Sequence, residues 1–205
     1  MIPFFLKTLL HLGFQLTVTG VTANTMRKER ISKKWLWLIF ILILFICMQF
    51  EQIPLPIRMI MFFIFSVLNG FILSAFLKHT TAKDIESAIF YTMFLFVTMC
   101  VVGYFLIKYH VDITPLILFV SMYSLTMLVV YMYMAIFDAH SKTTREGRQL
   151  IRVAAIALIA LYIVVDTYMN FEKDYDNDLV RSTLAYYTDV VSLFQNLLGY
   201  FSNEE

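Results

Sequence analysis

Long apolar stretches alternate with short charged segments along the whole 205-residue chain. A helix needs about 20 mainly apolar residues to cross the hydrocarbon core of a bilayer. By that measure the pattern predicts seven helices, over residues 3–23, 35–50, 57–77, 85–107, 113–137, 150–169 and 179–201. We therefore predict one multi-pass membrane domain over residues 1–205, an all-α bundle of seven transmembrane helices. The seventh segment is the most polar and is also open to a re-entrant interpretation.

The first span carries a polar stripe of Lys7, His11 and Gln15, which recur at every fourth position and so share one helix face. We expect this stripe to face the bundle interior or to lie near one membrane surface, which the long Lys7 side chain could reach. A cleaved signal peptide is the alternative, with a cleavage site at residues 21–23. The absence of a basic segment before the apolar run, and its interruption by Lys7, favour a retained span.

Composition agrees with a membrane protein. Hydrophobic residues make up 60% of the chain and charged residues 15%, against about 25% charged in soluble domains. Cys47 and Cys100 both fall in apolar spans without metal-ligand spacing, so we expect two small buried side chains and no disulfide. The basic and acidic totals, 16 and 15, nearly cancel. The expected partner is the lipid bilayer, and no nucleic acid is expected.

The sign of the loop charge indicates an orientation. The loops after the first, third and fifth spans are basic, whereas residues 172–178 between the sixth and seventh spans are mostly acidic. The positive-inside rule places the basic loops in the cytoplasm. With seven full crossings, the N-terminus would then lie outside and the C-terminus inside.

The last predicted helix carries a polar seam, which consists of Asp178, Ser182, Tyr186, Asp189, Ser192 and Asn196. Their spacings of three and four residues place all six on one helix face. A carboxylate near the bilayer centre costs roughly 2.5–3.5 kcal/mol on insertion scales, so Asp189 must be paired, protonated or next to water. We therefore predict that this helix is buried at the centre of the bundle. Hydrogen bonds between helices are the alternative role for the serine, tyrosine and asparagine side chains.

A second lone carboxylate, Asp166, lies in the sixth span one turn after Tyr162. It is either an acid at the membrane interface or a partner of Asp189. Two carboxylates in one low-dielectric site would share a single proton. Loss of that proton would leave two negative charges, which repel each other or attract a divalent cation. The sequence thus predicts a proton-sharing cation gate at Asp166 and Asp189, with support from Tyr162, Ser182, Tyr186, Ser192 and Asn196.

At these residues the chain resembles the Bax inhibitor-1 (TMBIM) family of membrane proteins. Residues 162–167, YIVVDT, are similar to the Tyr-Ile-x-x-Asp-Thr end of the family's penultimate helix. Residues 187–198, YTDVVSLFQNLL, are similar to its last helix, with Ser192 in place of the usual asparagine. Upstream positions that look like the family are Gly70, Glu86, Phe90 and Thr92.

The resemblance implies seven helices with the last one central, and a pH-sensitive calcium leak controlled by an aspartate pair. Asp166 and Asp189 would be that pair and the calcium-contacting residues, with calcium as the transported ion and no cofactor. Family members are associated with suppression of cell death and with endoplasmic reticulum, Golgi or bacterial membranes. We expect the first two membranes for a eukaryotic or viral source, and the plasma or inner membrane for a bacterial one. Arg58 is the candidate latch, because some members carry a basic cluster in that region.

Two other classes of function stay open. An intramembrane zinc hydrolase would need paired ligands, but no two of the four histidines, at positions 11, 79, 110 and 140, are four residues apart. Neither His-Glu-x-x-His nor Gly-x-Ser-x-Gly occurs, so we expect no enzyme and no catalytic residue. A non-conducting adaptor that binds other membrane proteins through its helix faces is the second class. Calcium flux through the purified protein in liposomes would separate the two classes from a leak channel.

Overall fold

The computed structural model describes residues 2–28, 40, 44–48, 52–78, 80–137, 145–172 and 178–202. These residues are mostly helical and contain no strand, in agreement with the predicted all-α class. In chain order the helices are α1 (Ile2–Thr25), α2 (helical at 44–48), α3 (Leu55–Leu77), α4 (Ala82–Lys108), α5 (Thr114–Phe137), α6 (Arg145–Glu172) and α7 (Leu179–Phe201). Most of the predicted second span, 35–50, lies outside the described residues. A seven-helix bundle is consistent with this arrangement.

The helix boundaries differ from the predicted ones mainly where charged residues or a proline belong to the first turns of a helix. Helix α6 begins at Arg145, five residues before the predicted start, because charged residues can continue a helix beyond its apolar part. Helix α3 begins at Leu55 and includes Pro56 in its first turn. A proline is tolerated there because the first N–H groups of a helix have no partner within the helix.

Five helices, α1, α3, α4, α5 and α6, are long and apolar enough to cross a membrane. The chain is therefore an integral multi-pass membrane protein. Helix α7 is not among these five candidate spans, and its polar seam accounts for its lower mean hydropathy. Cys47 and Cys100 are free, half-buried thiols.

Helix α7 packs against α1, α3, α4 and α6. Each residue of Leu179–Phe201 is buried or half-buried, and Tyr186 and Tyr187 are among the largest fully buried side chains. Helix α5 differs, since among the described elements it packs chiefly against α6. The largest buried apolar cluster accordingly joins the helices around α7.

Two glycines allow close helix packing. A Cβ atom on Gly70 of α3 would lie 2.6 Å from Thr22 Cβ and 2.7 Å from the Thr19 carbonyl oxygen of α1. A Cβ atom on Gly103 of α4 would lie 2.8 Å from Thr167 Cβ of α6. Small residues at helix interfaces let the backbones of membrane helices approach each other. Gly70, one of the positions that looks like the family, thus has a packing role.

Candidate functional site

A cavity of about 440 Å³, with both polar and apolar side chains in its wall, lies between α6 and α7. On α6 its wall is one helix face, because the lining residues are three and four positions apart. On α7 the lining residues again follow one face, and Phe45 of α2 completes the wall. The residues that line this α6–α7 cavity are Phe45, Ile159, Tyr162, Asp166, Arg181, Leu184, Ala185, Thr188, Asp189 and Ser192.

Asp166 and Asp189 meet in this cavity. Their side chains are close enough to interact directly, and Asp189 Oδ2 is buried without a hydrogen-bond partner in the described part of the chain. An ionised carboxylate only accepts hydrogen bonds, so a bond between two carboxyl groups requires a proton on one of them. The structure therefore brings together the two carboxylates singled out in the sequence, in a geometry that suits one shared proton.

Of the other predicted site residues, Tyr162 and Ser192 line the cavity. Asn196 does not. Its side-chain amide donates to the Ser192 carbonyl oxygen one turn earlier, at 2.9 Å. The predicted seam is thus divided, with only Asp189 and Ser192 facing the cavity.

Ser182 and Tyr186 join α7 to its neighbours instead of lining the cavity. The Ser182 hydroxyl donates to the side-chain oxygen of Asn170 on α6, and it lies 3.1 Å from the Thr8 hydroxyl of α1. The Tyr186 hydroxyl donates to Thr167 Oγ1 on α6 at 2.9 Å. These contacts fit the alternative role of hydrogen bonding between helices.

Arg58 pairs with Asp178, the first residue of the seam, and does not contact the aspartate pair in the described structure. The two side chains are 8% and 9% exposed. Asp178 also caps α7, because its Oδ1 accepts hydrogen bonds from the backbone N–H groups of Val180, at 3.0 Å, and Arg181, at 3.3 Å. Arg58 thus ties α3 to the beginning of α7, and its role as a latch stays a prediction.

Two polar residues of the cavity, Arg181 and Thr188, were not among the predicted site residues. Each lies one position before a seam residue, Ser182 or Asp189, and therefore on an adjoining part of the helix surface. The available signal was the spacing of Arg181, Ala185, Thr188 and Ser192, at four, three and four residues. Arg181 adds a positive charge to the cavity that holds both carboxylates.

The polar stripe of the first span passes from the surface into the bundle. Lys7 is exposed and His11 is half-buried, whereas Gln15 is 1% exposed. Gln15 Oε1 accepts a hydrogen bond of 2.7 Å from the Ser66 hydroxyl of α3. The expectation of an inward stripe holds for Gln15, and Lys7 lies near the helix end.

The oxygen ligands of the α6–α7 cavity suit a weakly held cation better than a fully coordinated metal ion. Calcium takes six to eight oxygen ligands in protein sites. No cluster of three or more His, Cys, Asp or Glu side chains that could hold a metal ion occurs in the described ranges. The aspartate pair supplies two carboxylates, so a calcium ion beside it would keep much of its water shell.

Comparison with protein-family models gives a match across nearly the whole chain. The model described as "Inhibitor of apoptosis-promoting Bax1" matches residues 3–205. The matched range includes the aspartate pair and the complete lining of the α6–α7 cavity. No curated protein matches the chain.

Proposed function

Because the chain belongs to the Bax inhibitor-1 family of membrane proteins, we propose that it is a pH-sensitive calcium leak channel, gated by Asp166 and Asp189. The observation that carries this proposal is that two carboxyl groups from adjacent helices lie close together in the wall of one cavity. A leak of this kind would modulate calcium homeostasis and, through it, cell death.

The proposed gate is closed when the pair holds one proton. The shared proton then joins α6 to α7 by a hydrogen bond. Raising the pH removes the proton and leaves two carboxylates, which repel each other by about 4 kcal/mol if they are 4 Å apart at an effective dielectric constant of 20. This repulsion, reduced by the attraction of both carboxylates to Arg181 in the same cavity, would separate the two helices there and admit a cation. Calcium flux should therefore increase with pH.

The position of α7 supports the same mechanism. We place this helix at the centre of the bundle, because it packs against four other helices and exposes none of its residues fully. A movement of α7 relative to α6 would then change the interior of the protein, where a path for ions has to lie.

Arg181 is the third charged group of the proposed gate. Its side chain lines the same cavity as the two carboxylates. Its positively charged guanidinium attracts the deprotonated aspartates and repels an entering calcium ion. We assign to Arg181 the role of limiting the flux through the open gate.

Calcium uptake into liposomes that contain the purified protein, between about pH 6 and pH 8, tests the gate. Asp166→Asn and Asp189→Asn should each give a low flux that no longer increases with pH, because an amide donates to the remaining carboxylate at every pH. Asp112→Asn is the matched control, since Asp112 is exposed in the loop before α5. Its profile should equal that of the wild type. Identical profiles for all four proteins would exclude the aspartate pair as the gate.

A non-conducting adaptor is the second candidate function. The observation that favours it is the exposed side of α5, where Leu118, Phe119 and Met122 are more than half exposed. Such a surface could contact another membrane protein as well as lipid. An absence of calcium flux at every pH, from a folded and correctly inserted protein, would favour the adaptor.

A further inference from the structure

A second cavity, of about 470 Å³, lies between α1, α3, α4 and α7. We call it the α1–α4 groove. Ile89 and Met93 on its α4 edge are each 52% exposed, and Gly20 on its α1 edge is exposed as well, so the groove is open between these two helices. Its volume falls within the range of about 300–1,000 Å³ that is typical of small-molecule sites. Residues that form its apolar wall include Leu16, Leu73, Ile89, Met93, Val191 and Phe194.

The groove is more apolar than its residue types suggest. Thr17 and Thr92 line it, but their hydroxyl groups donate to backbone oxygens of their own helices, at 2.8 Å to Gly13 and 2.6 Å to Ala88. With its hydroxyl bonded in this way, a threonine offers mainly its methyl group to a ligand. At Gly20 a Cβ atom would meet nothing within 4 Å. The absence of a side chain at Gly20 thus leaves open space in the groove. The apolar walls favour a hydrocarbon ligand.

One end of the groove is cationic. Arg27 lines it in the short 3₁₀ turn Met26–Lys28 that follows α1. Its Nη2 donates to the Thr80 carbonyl oxygen at 2.8 Å, which fixes the guanidinium beside the turn between α3 and α4. A guanidinium has five N–H donors, so others can meet a ligand. Its planar fork matches the geometry of a phosphate group.

From this combination we infer that the α1–α4 groove binds one glycerophospholipid. An acyl chain occupies the apolar part, and the phosphate contacts Arg27. The groove is bounded by the membrane-spanning helices α1, α3 and α4, so acyl chains are the hydrocarbon that surrounds its opening. Arg27 follows the last residue of the α1 span by two positions, at the level where headgroups lie. The site is independent of the aspartate pair, which faces the other cavity.

The test compares two glycine substitutions on the same helix. Gly20→Leu places a side chain in the groove, whereas Gly13→Leu adds the same side chain two turns earlier, where a Cβ atom also meets nothing within 4 Å. Both variants should therefore fold. Titration of the detergent-purified protein with phosphatidylglycerol, followed by native mass spectrometry, measures the saturable complex with one lipid. We expect that complex to form with the wild type and Gly13→Leu and to be lost with Gly20→Leu.

Two further variants test the site of the acyl chain and the site of the lipid headgroup separately. Ile89→Trp fills the groove from the α4 side and should also abolish the one-lipid complex. Arg27→Gln should weaken phosphatidylglycerol binding about tenfold or more, which corresponds to the loss of one hydrogen bond to a charged group. Equal lipid affinity of Gly20→Leu and Gly13→Leu would overturn the site. Unchanged affinity of Arg27→Gln would overturn the assignment of the phosphate.

Discussion

Replacing Arg58 by methionine removes one half of a buried ion pair and keeps much of the volume of the side chain. Asp178 would then stay between α3 and α7, less than a tenth exposed and without its cationic partner. Its Oδ1 would still accept the two backbone N–H groups at the start of α7. The perturbation is thus confined to the charge pair and leaves the helix cap in place.

The size of the effect follows from burial. Breaking a buried ion pair by removing one partner destabilises a protein by about 3–5 kcal/mol, because the remaining charge stays in a low-dielectric site. Asp178→Asn should lower the free energy of unfolding by a similar amount. Asparagine can still cap α7, but the buried positive charge of Arg58 then has no anionic partner. The double variant carries neither charge. It should therefore be more stable than either single variant.

The free energy of unfolding in mixed detergent micelles, measured for these four proteins, tests this reasoning. A double-mutant cycle isolates the coupling between the two side chains. If Arg58→Met lies within about 1 kcal/mol of the wild type, the value typical of an exposed pair, the pair is not buried as described. Strict additivity of the two single variants would refute the coupling itself. A higher calcium leak from Arg58→Met would in turn support the role of Arg58 as a latch.

Two further predictions concern the cavity and the helix contacts. Arg181→Gln should increase calcium uptake into liposomes at high pH, because the variant removes a positive charge from the proposed ion path. The control Arg148→Gln, on the exposed start of α6, should leave calcium uptake unchanged. Equal calcium uptake by both variants would exclude a gating role for Arg181. Gly70→Ala and Gly103→Ala should each lower the free energy of unfolding by about 1–3 kcal/mol through overpacking. The control Gly13→Ala should not lower the free energy of unfolding, because a Cβ atom at Gly13 meets nothing within 4 Å. If Gly13→Ala lowers the free energy of unfolding as much as Gly70→Ala does, crowding is not the cause.

Much of the fold could be predicted from the sequence, because a bilayer imposes a length on each apolar helix. The predicted span 113–137 differs from α5, Thr114–Phe137, by one residue, and 179–201 coincides with α7. The start of α6 was missed because Arg145 and Glu146 are helical without being apolar. Hydropathy locates the part of a helix that lies in hydrocarbon, not the helix itself.

The site was harder to predict than the helices. The proximity of Asp166 and Asp189 could be predicted, because isolated carboxylates on successive membrane helices need a partner. The inclusion of Arg181 could not, since it depends on how α7 is rotated about its own axis. That rotation is fixed by buried side chains such as Tyr187, whose hydroxyl lies 2.6 Å from that of Thr19 on α1. Helix periodicity defines which residues share a face, but only tertiary packing decides which neighbour that face meets.

The low hydropathy of α7 has a consequence for how the protein is made. The translocon does not readily release a helix of low hydropathy into lipid by itself. Such a helix has to pack against helices that are already in the membrane. The buried contacts of α7 with α1, through Thr8 and Thr19, mean that α7 docks on a helix that is synthesised before it. We therefore expect correct insertion of α7 to depend on α1. Glycosylation-site reporters placed after residue 205 should show one topology in the full chain and a mixed topology when α1 is deleted.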